Sequence, residues 1–273
     1  MTIRHWRSLL FVPGNRADLA TKTPRYGADL VVLDLEDAVP PAAKESARHI
    51  AAEAAHLLTT QVPTCIRVNP PGTPWFDDDV AGLPGDLAAV VVPKLESRGQ
   101  LAQVAQALED RPVVAGIETV RGVLEARELL RAPVVACYFG AEDYVADLGG
   151  RRTESNLELL TARALVGMAA RLARIPALDM VTLDLHDEER FLREAKEACA
   201  MGYAGKVCIH PRQVSLARQA FAPSPGEIDR ARRLLAAFEE AGGAVVAFEG
   251  QMVDEVVAAQ ARSVLAAAQN SDA

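Results

Sequence analysis

Aromatic residues make up only 5% of this 273-residue chain, although half of its residues are hydrophobic. So few rings suit a core built from Val, Leu, Ile and Ala side chains. Cysteine is also scarce. The four cysteines are widely spaced in apolar segments, without the Cys-x-x-Cys spacing of a zinc site or the framework of a disulfide-rich domain. We therefore expect a globular chain whose cysteines are reduced.

Long apolar runs and concentrated positive charge are absent as well. No run is long enough to span a bilayer, and the N-terminal segment lacks the apolar stretch of a signal peptide. The net charge is -8 and the pI is near 5.2, whereas phosphate binding by nucleic-acid proteins requires a positive patch. These features predict a cytoplasmic protein without membrane or nucleic-acid partners.

Eight short β-rich runs alternate with segments of helical periodicity, such as residues 42–59 and 100–109. The runs are continuously apolar, which is the pattern of strands buried on both faces. They lie at residues 8–12, 30–35, 65–68, 89–92, 113–117, 134–139, 178–183 and 206–209. Eight strand–helix units predict an α/β fold, a (β/α)8 TIM barrel, which commonly reaches about 250 residues as one domain.

The barrel should be complete near residue 220. This predicts a catalytic domain at residues 1–220 and a C-terminal extension or lid at residues 221–273. Residues 222–227 are typical of a turn that leads to a helix N-cap, and residues 227–241 have an amphipathic helical pattern. An apolar run that ends in a polar cluster and an Ala-rich helix complete the extension.

Polar residues follow the apolar runs directly. In a barrel, these positions lie on the C-terminal rim, where the active sites of this fold are built. Their convergence favours a closed barrel over an open doubly wound sheet. The residues are Asp34, Glu36, Asp37, Arg67, Asn69, Lys94, Glu118, Glu142, Asp143, Asp184, His186 and His210.

Two rim acids, Glu118 and Asp143, follow successive predicted strands and should point into one pocket. Two carboxylates in one pocket are mutually unfavourable unless a cation joins them. Oxygen ligands suit Mg²⁺ or Mn²⁺, whereas zinc would require His or Cys partners. The alternative is that each acid caps a helix or pairs with an arginine such as Arg121 or Arg151.

Arg67 lies in a predicted central strand and should point into the barrel mouth. Its guanidinium could form a structural ion pair with Glu36 or Asp37, or could bind a substrate carboxylate or carbonyl. Arginine beside Mg²⁺ suits the stabilisation of an enolate or alkoxide, which suggests cleavage or formation of a carbon–carbon bond.

The first strand-to-helix junction carries cations. A turn at residues 13–16 includes Asn15 and Arg16, and Lys22 follows; such a junction suits phosphate groups, although solvated cations are common on first helices. His210 could contact a substrate, but we interpret it as a rim histidine with its hydrogen bonds satisfied.

Seven motifs occur in order along nearly the whole chain. They are Leu10-Phe11-Val12-Pro13-Gly14-Asn15-Arg16, Leu33-Asp34-Leu35-Glu36-Asp37-Ala38-Val39, Ile66-Arg67-Val68-Asn69, Val92-Pro93-Lys94, Ile117-Glu118-Thr119, Phe139-Gly140-Ala141-Glu142-Asp143 and Gly250-Gln251-Met252-Val253-Asp254. Together they resemble the HpcH/HpaI aldolase family, in its citrate lyase β-subunit-like branch. The resemblance implies a Mg²⁺-dependent (β/α)8 enzyme that splits a β-hydroxyacyl thioester, such as malyl-CoA, citramalyl-CoA or a citryl thioester, into acetyl or propionyl thioester and an oxo acid, or runs the reverse condensation.

The resemblance also implies roles for single residues. It makes Glu118 and Asp143 metal ligands, and it places Glu36 and Asp37 near the metal's water shell as part of the catalytic group. Arg67 would bind the oxo-acid oxygens and offset enolate charge.

Further roles concern the substrate and the extension. Backbone amides of Gly140, Ala141 and Glu142 would bind the oxo-acid carboxylate, and Asn15, Arg16 and Lys22 would lie near the CoA phosphates. Asp254 would be an acid/base that the extension inserts into a neighbouring subunit, commonly in a homotrimer.

Two departures distinguish this chain from the subunit of the citrate lyase complex. That subunit usually has Asn-Gly-Lys-Met-Val-Asp and Ile-Asn-Pro, whereas this chain has Glu-Gly-Gln-Met-Val-Asp at residues 249–254 and Ile-His-Pro at residues 209–211. The differences resemble stand-alone malyl-CoA or citramalyl-CoA lyases and disfavour a substrate bound to acyl carrier protein. A malyl-CoA thioesterase and a non-catalytic CoA-binding scaffold remain alternatives.

Overall fold

A computed structural model describes residues 6–269. The first residues of the N-terminal segment for which the sequence predicts no signal peptide, residues 1–5, lie outside the described residues, as do residues 270–273. The chain divides into two compact units, Met1–Arg218 and Gln219–Ala273, which are described separately.

The first unit is a closed barrel of eight parallel strands in the order β1 to β8, as predicted. Strand β1 pairs with β8 across the seam, where Ser8 is opposite Lys206. The space there is narrow, because a Cβ atom on Gly205 would collide with the backbone of Trp6 and Arg7. The strands are β1 (Ser8–Pro13), β2 (Leu30–Asp34), β3 (Thr64–Arg67), β4 (Ala89–Val92), β5 (Val113–Ile117), β6 (Val134–Phe139), β7 (Ala177–Asp179) and β8 (Gly205–Cys208).

Strand β7 is shorter than the predicted run at residues 178–183. The residues after Asp179 leave the sheet, and Thr182 forms hydrogen bonds with side chains of the surrounding helices instead of with a neighbouring strand. Gln213 Nε2 donates to the carbonyl of Thr182 at 2.8 Å, and the Thr182 hydroxyl donates to Glu194 at 2.6 Å.

Helices surround the barrel, and the predicted segments 42–59 and 100–109 are helical. Ser97 and Thr119 cap the helices that follow them by accepting hydrogen bonds from the backbone N–H groups of Gln100 and Gly122. The helices of this part are α1 (Ala17–Ala20), α2 (Lys44–Leu58), α3 (Phe76–Ala81), α4 (Arg98–Ala107), α5 (Val120–Leu129), α6 (Ala141–Leu148), α7 (Leu160–Ala173), α8 (Glu188–Ala200) and α9 (Pro211–Phe221).

Alternate residues of each strand point into the barrel and form its core. In β2, for example, Leu30 and Val32 belong to the interior cluster. Asp34 continues the same alternation at the carboxyl end of the strand. The apolar layers therefore end in a polar layer at the C-terminal rim, where the active sites of this fold lie.

A second set of charged residues faces outward between β7, β8 and the helices α7 and α8. We call Arg163, Asp179, Glu194 and Lys206 the wall cluster. Arg163 donates two hydrogen bonds to Asp179 at 3.0 and 2.9 Å, and Lys206 Nζ lies 3.4 Å from Asp179 and 3.3 Å from Glu194. All four side chains are at most 2% exposed.

The second unit has its own core between α10 (Pro225–Glu240) and α11 (Glu255–Gln269). Ser224 and Glu227 form a capping box at the start of α10, where the sequence predicts a helix. The unit is not purely helical, because β9 (Val246–Phe248) and β10 (Gln251–Val253) form an antiparallel hairpin. Glu249 and Gly250 at its tip have φ angles of 50° and 77°, as a tight two-residue hairpin turn requires.

Among residues 6–269, no helix is both long and apolar enough to cross a bilayer.

Candidate active site

A cavity of about 430 Å³ opens at the C-terminal rim of the barrel. Strands β1, β2, β3 and β6, together with the start of α6, contribute to its walls. Its polar lining comes from six of the predicted rim residues and from Tyr138. These residues are Asp34, Asp37, Arg67, Glu118, Tyr138, Glu142 and Asp143.

Arg67 is fixed in place by acids on the preceding strand and loop. Asp34 and Arg67 are opposite each other in the pairing of β2 with β3, and the guanidinium donates to both carboxylate oxygens of Asp34 at 2.6 and 2.7 Å. The predicted ion pairs are also present, with Glu36 at 2.9 Å and Asp37 at 3.5 Å. Burial opposes the charge of Arg67, but Asp34 and Glu36 outweigh it and raise the pKa of the guanidinium.

The acidic loop after β2 is shaped by Asp34. Its carboxylate accepts hydrogen bonds from the backbone N–H groups of Glu36 and Ala38 at 2.8 and 3.1 Å, which closes a local turn. Glu36 is buried and accepts a hydrogen bond from Lys94 Nζ at 2.7 Å, whereas Asp37 is 56% exposed. Burial raises the pKa of Glu36 despite the opposing charge of Arg67.

Glu118 lies at the base of the cavity and is 1% exposed. Two glycines make room for it, because a Cβ on Gly116 would lie 2.7 Å from Glu118 Oε1 and one on Gly140 would lie 2.6 Å from Glu118 Cγ. Burial raises the pKa of Glu118 to about 8, although the charge of Arg67 acts in the opposite direction. The buried Tyr138 hydroxyl lies beside this carboxylate and acts in the direction of a lower pKa for Glu118, whereas among the described residues Glu118 Oε2 is buried without a hydrogen-bond partner.

Asp143 occupies the first turn of α6 and has a 38% exposed side chain. Its Oδ1 atom lies 3.2 Å from Lys94 Nζ. Within residues 6–269, neither Glu118 nor Asp143 forms an ion pair with Arg121 or Arg151, and Thr119 is the N-cap of α5. The alternative of helix caps or arginine pairs is therefore not what the structure shows for these acids.

The donor set fits a divalent cation with few protein ligands. Within the described residues, no group of three or more His, Cys, Asp and Glu side chains could hold a metal. Glu118 and Asp143 nevertheless line one cavity, and the buried Glu118 Oε2 lacks a partner that a cation would supply. Mg²⁺ is commonly held by one or two carboxylates and completes its coordination with water and substrate.

The N-terminus of α6 faces the same cavity. Gly140 N–H donates to the carbonyl of Ile117 at 3.1 Å, so its amide is already used within the protein. Ala141 and Glu142 are the first residues of the helix, and N–H groups at these positions have no intrahelical acceptor. The Glu142 side chain turns to Arg152, with which it forms a short ion pair.

Comparison with known proteins identifies the family of the chain. Residues 7–211 match the model of the HpcH/HpaI aldolase/citrate lyase family. The chain belongs to this family. It is 50% identical over 272 residues to a citrate lyase subunit beta-like protein of Deinococcus radiodurans, covering 95% of this chain and 96% of the relative. The resemblance inferred from the seven motifs is thereby confirmed.

Two further members connect the family to ligands. A CitE crystal structure from Mycobacterium tuberculosis, in complex with magnesium, acetoacetate and coenzyme A, superposes with a TM-score of 0.87 at 37% identity and covers 97% of this chain and 98% of that one. A (3S)-malyl-CoA thioesterase of Cereibacter sphaeroides is 34% identical over 277 residues, covering 97% of this chain and 95% of the relative.

In the present chain, the cations at the first strand-to-helix junction, Arg16 and Lys22, do not line the cavity. Arg16 is exposed and forms two hydrogen bonds with Asp18 at 2.7 and 2.8 Å, and Lys22 is exposed as well. Asn15 is half-buried beside Gly14, whose N–H donates to the carbonyl of Asp34 at 2.8 Å. Their role at a CoA phosphate stays a prediction.

The two remaining candidates have local structural roles. His210 Nδ1 accepts a hydrogen bond from Arg212 N at 3.2 Å, which agrees with a satisfied rim histidine. Asp254, in the second unit, precedes α11 and accepts a hydrogen bond from Val257 N at 3.0 Å. Its proposed action in a neighbouring active site stays a prediction.

Three residues of the site received no role from the sequence. Asp34 and Lys94 were placed on the rim only, and Tyr138 was not singled out. The signals were available in part: Asp34 lies two positions after inward-facing Val32, and Tyr138 lies two positions before Gly140. The contact between Lys94 and Asp143 could not be predicted, because it depends on the distance in space between the loop after β4 and the first turn of α6.

Proposed function

We propose that this protein is a Mg²⁺-dependent lyase that cleaves, or forms, the carbon–carbon bond of a short β-hydroxyacyl-CoA. Malyl-CoA, citramalyl-CoA and citryl-CoA are the candidate substrates, and the products are acetyl- or propionyl-CoA and an oxo acid. The observation that carries the proposal is the cavity in which Glu118 and Asp143 lie with Arg67. A family member whose structure contains magnesium, acetoacetate and coenzyme A supports it.

Glu118 and Asp143 would hold the metal ion. Mg²⁺, or Mn²⁺ in its place, supplies Lewis-acid polarisation of the substrate oxygens when it is bound. Glu36 and Asp37 would lie near the water shell of the metal, where their carboxylates can orient water molecules.

Arg67 would bind the oxygens of the oxo acid. Its Nε and Nη2 atoms are held by Asp34, so the plane of the guanidinium is fixed before substrate arrives. Its Nη1 atom lies 2.9 Å from Glu36 Oε2, but that oxygen accepts no hydrogen bond among the described residues. Nη1 would bind a substrate oxygen, and the charge of the guanidinium would offset negative charge on an enolate.

The amides of Ala141 and Glu142 would receive the oxo-acid carboxylate. They are at the positive end of α6, which favours an anion. Arg152 holds the Glu142 side chain to one side, which limits its repulsion of that anion.

In the cleavage direction, a base removes the proton of the β-hydroxyl group, and the carbonyl of the oxo acid forms as the carbon–carbon bond breaks. The electron pair of that bond passes into the thioester and gives an enolate, whose carbon then takes a proton. Asp254 of a neighbouring subunit, supplied in a homo-oligomer such as a trimer, would transfer these protons. Asn15, Arg16 and Lys22 would bind the CoA phosphates.

A thioesterase is the second candidate function, because a malyl-CoA thioesterase is among the relatives. It would use the same cavity to bind the thioester and would direct water at the thioester carbonyl. A citrate lyase β subunit that acts on citryl-acyl carrier protein is a third candidate, and a non-catalytic CoA-binding scaffold ranks last because the acids and Arg67 are all present.

The test is a Mg²⁺-dependent assay of the purified protein with malyl-CoA, citramalyl-CoA and citryl-CoA, in which oxo acid and free thiol are followed in parallel. A lyase releases oxo acid without free thiol, and EDTA or Glu118→Gln abolishes the release. Glu125→Gln, at an exposed position of α5, is the matched control and should keep full activity. Free thiol without oxo acid would establish the thioesterase instead, and no turnover of any substrate would contradict both.

A further inference from the structure

Lys94 lies among the acids of the cavity in an unusual backbone conformation. It follows β4 and Pro93, and its φ angle of 52° is in the left-handed region, which a lysine adopts only at a cost. Its Nζ atom lies 2.7 Å from Glu36 Oε1, 3.2 Å from Asp143 Oδ1 and 3.8 Å from Asp37 Oδ1. One ammonium group therefore connects the acidic loop after β2 with the first turn of α6.

The two cations of the site have different tasks. Arg67 donates two close hydrogen bonds to Asp34 and is 9% exposed. Lys94 is 27% exposed and forms a hydrogen bond with Glu36, whereas its contact with Asp143 is an ion pair without a hydrogen bond. The contact with Asp143 is thus the one that can be given up while Lys94 stays attached to Glu36.

We infer that Lys94 is an internal counter-ion that competes with the divalent cation for Asp143. The inference rests on the proposed metal site at Glu118 and Asp143. In the absence of metal, the ammonium offsets the charge of Asp143 and keeps the intrinsic affinity for a divalent cation low. When the anion of an oxo acid occupies the cavity, its negative charge favours the doubly charged metal ion over the singly charged Lys94 ammonium at Asp143. The metal ion and the substrate anion therefore bind cooperatively.

The test measures binding of Mn²⁺ to the full-length protein by the loss of its free electron paramagnetic resonance signal. Lys94→Met removes the charge, retains an unbranched side chain and adds no new left-handed strain. We expect Mn²⁺ to bind Lys94→Met about tenfold more tightly than wild type when no oxo acid is present. Pyruvate and glyoxylate, each added separately, should tighten Mn²⁺ binding by wild type more than binding by Lys94→Met.

Lys196→Met is the matched control, because Lys196 is exposed on α8 and does not line the cavity. It should bind Mn²⁺ as wild type does. Lys94→Gln provides a second uncharged variant, to be used if thermal unfolding shows that Lys94→Met does not fold.

The outcomes separate this inference from the proposed function. Equal or weaker Mn²⁺ binding by folded Lys94→Met or Lys94→Gln would overturn the counter-ion role and make Lys94 a scaffold for Asp143. No Mn²⁺ binding by wild type, with or without oxo acid, would contradict the proposed metal site itself.

Discussion

The barrel contains two clusters of the same charged residue types, one on each side of its wall. The wall cluster joins Arg163, Asp179, Glu194 and Lys206 outside the barrel. The rim cluster, which we define as Asp34, Glu36, Arg67, Lys94, Glu118 and Asp143, lies at the cavity. Both contain acids, an arginine and a lysine, and the rim cluster borders the cavity of about 430 Å³ described above.

The two clusters differ in how completely their polar atoms are paired. Glu194 accepts hydrogen bonds from Thr182 at 2.6 Å, Asn156 at 3.1 Å and Arg190 at 2.9 Å, in addition to its ion pair with Lys206. In the rim cluster, Oε2 of Glu118 is buried without a hydrogen-bond partner among the described residues, and Oε2 of Glu36 has only its ion pair with Arg67. Charge alone does not mark a functional site; buried acceptor atoms beside a cavity do.

The largest expected effect on stability is in the wall cluster. Lys206→Met would leave Asp179 and Glu194 buried without their shared cation, and removing one partner of a buried ion pair costs about 3 to 5 kcal/mol. We expect the free energy of unfolding in urea to fall by that amount, while turnover per folded molecule is retained. If Lys206→Met were as stable as wild type, Arg163 and the remaining hydrogen bonds would be sufficient to stabilise the buried charges of Asp179 and Glu194.

At the rim, a substitution is expected to reduce activity far more than stability. Arg67→Lys retains the charge but loses the two-pronged bond to Asp34 and the fixed plane of the guanidinium. We expect kcat/KM to fall by about 10² to 10³, the usual effect of losing one preorganised donor to a developing anion. The free energy of unfolding in urea should fall far less for Arg67→Lys than for Lys206→Met. An equal fall would show that the rim cluster stabilises the fold as much as the wall cluster does.

The pH dependence of stability sharpens the comparison. Burial alone would raise the pKa of Glu194, but the charge of Lys206 and the hydrogen bonds from Thr182, Arg190 and Asn156 lower it to about 2. Because the folded-state pKa lies below the ordinary value of 4.5, this stabilisation is present above that value and is lost as the pH falls towards 2. Wild type should therefore lose its stability advantage over Glu194→Gln between these pH values, as urea unfolding at a series of pH values would measure.

The smallest expected effect tests the redundancy of the wall cluster. Thr182→Val removes one of the hydrogen bonds to Glu194 and preserves the volume of the side chain. Because Asn156, Arg190 and Lys206 remain, we expect a loss of about 1 kcal/mol. A loss as large as that of Lys206→Met would mean that Glu194 depends on the hydroxyl rather than on the whole set.

The barrel could be predicted from the sequence because each of its strands and helices is marked by a local pattern of residues. Each strand is a short apolar run, and the alternation of runs with helical segments limits the possible topologies to very few. The rim positions followed from the fold, which is why Glu118, Asp143 and Arg67 could be placed before any coordinates were known. The predicted metal and substrate roles remain to be tested by the experiments above.

Other features depended on contacts that no local pattern encodes. The partner of Arg67 was expected to be Glu36 or Asp37, but the register of β2 and β3 makes Asp34 the principal one. The hairpin in the second unit depends on left-handed backbone at Glu249 and Gly250, and an apolar run alone does not predict its reversal. The wall cluster was missed because Asp179 and Lys206 lie within apolar runs and resemble interruptions of them.

Closure of the barrel between β1 and β8 has a consequence for synthesis. Residues near the start of the chain cannot pair with their last strand until residue 208 has left the ribosome. Until then, β1 offers an unpaired edge to other nascent chains, and such edges promote aggregation. The position of β8 along the chain therefore sets the earliest moment at which the barrel of the growing chain can close.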